Sequence, residues 1–343
     1  IFISKMAHSA VCEERYPPDS EECQYVQELE QKAEQGDESA QFALGSWYAE
    51  GRYVKPDYKL AIKWLEKAGK QGSDFSYFIL GYHYNYGENF PLSRQKALEW
   101  YRKAAELGDS STQEILGDAY MYGDGFPQNT QLALEWYRRA AAQGLAEAQD
   151  AIGVMFMQGE GVSQDYQQAL AWYRKAARQG LPAAQTHLGI MSAFGRGVAQ
   201  SDRQAIAWYR KAAKQDFAKA QYQLGVAYST GRGVPENSRN ALKWYLKAAE
   251  QGFTPAQLAL GEIYAHGRQG VPKDNKQAYI WYYMASIYTE KSKDDCSALI
   301  AERNRLKGTL TPDQLSETYA AFDLIRRKIN QSKEAKKIAR KKY

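Results

Sequence analysis

The sequence predicts an all-α solenoid of seven helix-turn-helix repeats, and three observations carry that prediction. The glycine of a Leu-Gly or Ile-Gly step recurs at Gly45, Gly81, Gly117, Gly153, Gly189, Gly225 and Gly261, every interval being 36 residues. A tryptophan recurs with the same period at Trp64, Trp100, Trp136, Trp172, Trp208 and Trp244; the seventh, Trp281, comes one residue late after an insertion at Arg268-Gln269-Gly270. Within each period, apolar residues fall three and four positions apart, which is helical spacing. A fixed period of this size marks stacked units rather than one globular core.

The elements follow in chain order. Residues 1–23 read as an N-terminal arm. Its start, IFISKMAHSAV, reads as a signal-peptide remnant with Ala7, Ser9 and Ala10 near a cleavage point, an artificial scar, or an unstructured arm. Cys12 and Cys23 flank Pro17-Pro18 and are candidates for a local disulfide, which would favour an oxidising compartment; the alternative is two unpaired thiols. Cys296 is left over and is expected to pack near the C-terminus. Residues 24–36 resemble the second half of a repeat, with Glu28 where a Trp would stand, as suits a polar capping helix.

The seven repeats span 37–289. In each, a first helix (A) carries Ala-Gln-x-x-Leu-Gly-x-x-Tyr and a second (B) carries Ala-x-x-Trp-Tyr-x-Lys-Ala-Ala. Between them lies a turn with Gly-x-Gly, such as Gly159/Gly161, and helix B ends at Gln-Gly; glycine turns the chain left-handed at little cost. The small residues of helix A should let it approach helix B closely, with the large rings filling the other side. Residues 290–330 hold two further helical windows, about 294–307 and 312–329, the second opened by Thr311-Pro312-Asp313. They are expected to cover Tyr279, Trp281, Tyr282 and Tyr283 on the last repeat. Residues 331–343 form a basic tail, expected to be solvated or frayed. From Arg326 onward there are nine Lys or Arg against Glu334 alone, a balance of +8 within a chain total of +5, so the body is mildly acidic.

The A-x-x-W-Y-x-K-A-A-x-Q-G phrase, the LG-x-x-Y step and the G-x-G-V turn resemble the Sel-one-like repeat family, relatives of the tetratricopeptide repeats. The resemblance covers residues 24–289, with departures at Gly87 (no second glycine), Asp216 (for the terminal Gly) and Ser192 (for the aromatic of helix A). It implies a right-handed α/α superhelix acting as a non-enzymatic protein-interaction scaffold. Bacterial relatives point to an exported, periplasmic role: an immunity protein that neutralises a secreted (type VI) effector, or an envelope or virulence adaptor. A cytoplasmic location is the alternative.

No catalytic constellation stands out. His8, His83, His187 and His266 have no metal-ligand spacing, so no metal or cofactor is expected. The Gly-x-Gly turns lack the strand and Gly-Lys-Ser/Thr of a phosphate loop. Ser93-Arg94-Gln95-Lys96 matches S-x-x-K, but Ser93 sits where a helix needs a cap. There is no apolar run of about 18 residues, the length a membrane helix needs. Nucleic-acid contact through the basic tail is a further alternative.

In the family that these residues resemble, helix A lines the concave side. With the Leu-Gly glycine as position zero, positions −3, +1 and +5 point away from the recurrent Ala, Gln, Leu and Tyr. The candidate partner-binding residues are therefore Phe42; Phe78, Tyr82 and Tyr86; Glu114, Asp118 and Tyr122; Asp150, Val154 and Gln158; Ile190 and Phe194; Tyr222 and Val226. Partly exposed aromatics are what partner hot spots use, and the central acids suit a partner with basic and aromatic features. The alternative is that these side chains pack against the neighbouring repeat.

Overall fold

A computed structural model describes residues 17, 20–87, 89–268, 270–289 and 297–341. Among the described residues there are seventeen helices and no strand. The first, α1 (Glu21–Glu34), precedes seven A/B pairs: α2 (Glu38–Glu50) with α3 (Tyr58–Lys70), α4 (Asp74–Tyr86) with α5 (Arg94–Leu107), α6 (Ser110–Tyr122) with α7 (Thr130–Ala142), α8 (Ala146–Gln158) with α9 (Tyr166–Arg178), α10 (Pro182–Phe194) with α11 (Asp202–Ala213), α12 (Ala218–Thr230) with α13 (Ser238–Ala249), and α14 (Thr254–His266) with α15 (Asn275–Thr289). Two more, α16 (Ser297–Lys307) and α17 (Pro312–Lys341), follow. The chain divides into two compact units, residues 1–165 and 166–343, with the division inside the fourth repeat. Within each unit, helix A packs on its own helix B and helix B packs on the next helix A, as a solenoid requires.

The Leu-Gly glycine is fixed by a ring. In the first unit, a Cβ on Gly117 would lie 2.5 Å from Cδ1 of Tyr137, and one on Gly45 would lie 2.6 Å from Cγ of Leu65. In the second unit, Gly225 meets Tyr245 and Gly261 meets Tyr282 in the same way, at 2.6 Å. The residue that seals the A/B contact is thus the Tyr of the Trp-Tyr pair, or Leu65 in the first repeat. Trp100, Trp136, Trp208 and Trp244 are only half-buried. Each carries a cation on its ring: Lys103 at 3.9 Å, Arg139 at 4.6 Å, Lys211 at 4.4 Å and Lys247 at 5.0 Å. These helix-spaced cation–π contacts shield the rings without removing them from water.

A second recurrent device is polar. The buried Gln of the Ala-Gln step donates to a backbone carbonyl eight residues earlier: Gln41 to Ala33 (2.9 Å), Gln113 to Ala105 (3.0 Å) and Gln257 to Ala249 (3.2 Å). The Gln that ends helix B donates to it in turn: Gln71 to Gln41 (2.8 Å), Gln143 to Gln113 (3.0 Å), Gln215 to Gln185 (3.1 Å) and Gln251 to Gln221 (2.8 Å). In the second repeat both partners change together, to Tyr77 and Leu107. Asp216, in place of the usual glycine, holds a left-handed φ of 58°, which Asp tolerates better than most side chains, and its Oδ1 accepts from Nε2 of Gln221 at 2.9 Å.

The Gly-x-Gly turns are docked rather than open. A Cβ on Gly197 would meet the carbonyl oxygen of Tyr166 at 2.8 Å, and Gln167 donates to the carbonyl of Gly197 at 2.9 Å. The second glycine is needed for this close approach. Ser93 is a helix cap, its Oγ accepting from the backbone of Lys96.

At the start, α1 begins three residues before the expected 24 and buries Cys23, Val26, Glu30 and Ala33, leaving Glu28 exposed. Glu30 accepts from the Tyr48 hydroxyl at 3.2 Å. At the end, Tyr279, Trp281 and Tyr282 are buried, and Phe322 of α17 stacks on Tyr283 at 4.1 Å. Lys328 reaches back to Glu250 at 2.8 Å. The last helical window, expected to end near 329, runs further: the helix continues to Lys341. No Gly or Pro follows Pro312, and Ala, Lys, Arg and Glu are strong helix formers, so nothing in the sequence stops it.

Candidate functional site

The candidate positions lie on the A helices, and the structure gives them a shared character. The candidate residues at positions −3 and +1 are half-buried, and those at position +5 are exposed at Tyr86, Tyr122, Gln158 and Phe194. Phe42 and Phe78 pack against the first unit's core, and Ile190, Tyr222 and Val226 pack against cores in the second. Packing on a core therefore holds for Phe42, Phe78, Ile190, Tyr222 and Val226, whereas Tyr86, Tyr122 and Phe194 are the exposed candidates among the aromatics.

In the first unit, four of the candidates meet in one aromatic row, joined by a residue that the phase argument missed. Phe42 lies 5.7 Å from Phe75, which stacks on Phe78 at 5.6 Å and 9°. Phe78 then meets Tyr82 at 6.5 Å, and Tyr82 meets Tyr86 at 4.6 Å. Phe75 is 53% exposed and Tyr86 is 46% exposed. Phe75 occupies position −6, where the other repeats carry Ser, Glu, Ala, Lys or Pro. A lone aromatic among small and polar residues was the available signal.

In the third repeat, Tyr122 is 74% exposed. Its phenol is held above the ordinary tyrosine value by partial burial first, then by Asp118 and Glu160. Asp118 accepts a hydrogen bond from the Tyr137 hydroxyl, so part of its capacity serves the scaffold. Burial and that bond together push the Tyr137 phenol well up. Glu114, Asp150 and Val154 are half-buried on the same helix phase.

In the second unit the candidates form smaller groups. Phe194, 60% exposed, has the guanidinium of Arg196 at 5.4 Å and that of Arg232 at 6.0 Å. Arg232 also pairs with Asp202 at 3.1 Å. Tyr222 packs on Phe253 at 5.4 Å and on Tyr245 at 5.7 Å, and burial followed by Glu262 raises its phenol. Val226 joins that cluster, whereas Ile190 belongs to the cluster before it.

Cys23 is fully buried and disulfide-bonded. Cys12, its expected partner, and Cys296 lie outside the described residues. Among the described residues no group of three His, Cys, Asp or Glu is placed to hold a metal ion, and no helix is long and apolar enough to cross a membrane.

Seven consecutive Sel1 repeats match the chain at residues 38–73, 75–109, 110–145, 146–181, 182–217, 218–253 and 254–286. No curated protein matches it in sequence. Among solved structures, a Sel1 repeat protein from Oxalobacter formigenes is 34% identical, with a TM-score of 0.69, over 81% of this chain and 79% of its own. A protective antigen of uropathogenic Escherichia coli with an SLR fold is 32% identical, with a TM-score of 0.63, over 88% of this chain; this chain spans 63% of that antigen's length. An immunity protein from Pseudomonas aeruginosa is 23% identical with a TM-score of 0.45, over 57% of this chain and 75% of its own. The repeated match across most of the chain, and the two relatives above 30% identity, place this protein in the Sel1 repeat family.

Proposed function

We propose that the protein is a non-enzymatic scaffold that holds a partner protein against the A helices of its first unit. The observation that carries this reading is the aromatic row from Phe42 through Phe75, Phe78 and Tyr82 to Tyr86. Rings that pack on one another, with Phe42 and Phe78 also resting on the core, are pre-organised: they add contact area on binding and lose little side-chain freedom. Phe194 and the Tyr222–Val226 group of the second unit offer further contacts of the same kind. The disulfide at Cys23 supports an oxidising, exported location, since such bonds persist outside the reducing cytosol. A periplasmic immunity protein that caps a secreted effector is the specific form of this reading, and an envelope adaptor is its neighbour.

The test is a photo-crosslinking amino acid placed at Tyr86 and, as a control, at Glu99, an exposed residue of α5. The reading expects one protein to be trapped from Tyr86 in cells of the source organism and not from Glu99. Equal trapping from both positions would contradict it.

A further inference from the structure

The scaffold reading leaves the chemistry of the partner open, and the distribution of charge in the first unit narrows it. The four A helices α2, α4, α6 and α8 contain seven Asp or Glu and not one Lys or Arg. The three B helices of the same unit, α3, α5 and α7, contain ten Lys or Arg against four Glu. Chance does not readily empty one helix set of cations in a chain that has 45 of them. Of the four exposed rings among the described residues of the first unit, three lie on the A-helix set and the fourth, Tyr25, on α1. Phe75, Tyr86 and Tyr122 stand out from it, and Glu160 lies close enough to act on Tyr122.

We propose that this aromatic, acidic face receives an arginine-rich extended segment of the partner protein. This rests on the scaffold reading and names the ligand chemistry for it. Ring faces attract cations through their quadrupole, and arginine stacks on them better than lysine because its guanidinium is planar and weakly hydrated. Carboxylates on the same face add charge-assisted hydrogen bonds and draw a cationic segment in over a Debye length. From Phe75 to Tyr86 the α4 row is ~16 Å long at the helical rise per residue. An extended segment of about five residues matches that length. The A helices offer no Lys or Arg to a phosphate-bearing or acidic partner, and Arg94 of α5, which reaches Asn85 beside Tyr86, is already paired with Asp124 at 2.8 Å.

The experiment uses the full chain and three labelled probes: a peptide of alternating Arg and Ser, its Lys–Ser analogue and its Glu–Ser analogue. Fluorescence anisotropy should show the arginine peptide binding most tightly and the glutamate peptide least. Two variants are compared, Glu114→Gln/Asp150→Asn/Glu160→Gln and Phe75→Ala/Tyr86→Ala, each first checked for unchanged helicity and melting. Each should weaken the arginine peptide at least about tenfold, and added salt should weaken it further in the unmodified protein. If the arginine peptide binds no better than the glutamate peptide, or if neutralising the three carboxylates changes nothing, the inference is overturned. A protein partner trapped through Tyr86 whose binding ignores the carboxylates would also overturn it, while leaving the scaffold reading in place.

Discussion

Replacing Gly117 by alanine tests how the repeat is held together. The added Cβ would sit 2.5 Å from Cδ1 of Tyr137, where carbon atoms at rest lie about 3.5–4.0 Å apart. The overlap is therefore more than about 1 Å on that contact. The ring has little room to move: Tyr137 is 2% exposed, and its hydroxyl is bonded to Asp118. Overpacking of this kind costs about 1–3 kcal/mol. Against it stands the helix-propensity gain of alanine over glycine, about 1 kcal/mol. The net expectation is a loss of up to about 2 kcal/mol, read as a lower midpoint in urea unfolding followed by far-ultraviolet circular dichroism. The pair should also be coupled. In a Tyr137→Ala background the same Gly117→Ala change should turn neutral or stabilising, because the clashing ring is gone. A single variant more stable than the parent, or one whose effect is the same in the Tyr137→Ala background, would refute the claim that ring contact fixes the glycine.

Other outcomes follow from the same structure. Gln113→Ala removes a buried amide that donates to the Ala105 carbonyl and accepts from Gln143, and it should cost about 1–3 kcal/mol by urea unfolding; Gln143→Ala, at an exposed helix end, should cost less. Burial holds the phenols of Tyr101, Tyr137 and Tyr209 above the ordinary value of 10.0 and pushes Tyr282 up to about 12. The folded values exceed the unfolded ones, so this stabilisation is complete below the unfolded pKa and is lost as pH rises through the folded values. The melting midpoint should hold steady up to about pH 10 and fall above it, with these phenols ionising only on unfolding, as absorbance titration would show. For the disulfide at Cys23, peptide mapping without reductant should recover it joined to Cys12. Cys12→Ser should then lower stability by ~3 kcal/mol and match Cys23→Ser in that loss; recovery of Cys23 joined to Cys296 would contradict this pairing.

Much of the architecture is legible in the sequence because a repeat states its contacts several times. The 36-residue interval, the glycines that close each A helix and the caps such as Ser93 are local features, and local features set helix ends. The Trp-Tyr pair was less legible. Both residues are large and adjacent, and their order of burial depends on the angle at which helix B meets the glycine of helix A. In the second, third, fifth and sixth repeats the structure gives the Tyr to that contact and leaves the Trp half-wet beneath a Lys or Arg. The Gln ladder was missed for a different reason. Its partners, such as Gln41 and Gln71, are 30 residues apart and meet only after the pair of helices has folded. Their joint replacement by Tyr77 and Leu107 is the trace that a sequence can carry. At the candidate site, helix phase placed Phe78, Tyr82 and Tyr86 on one row, but Phe75 lay outside the chosen phase. Long side chains lean along a helix and bridge positions that a wheel separates.

The central claim is that Tyr82 and Tyr86, at the outer end of the aromatic row, bind a partner and are not needed to hold the fold. The most direct measurement is calorimetric binding of the protein trapped at Tyr86, comparing the parent chain with Tyr82→Ala/Tyr86→Ala, alongside the melting temperature of each. The account predicts that affinity falls by at least about 2 kcal/mol, the size of a hot-spot loss, while melting hardly changes. Unchanged affinity, or a loss of binding that only accompanies a collapse in melting temperature, would contradict it.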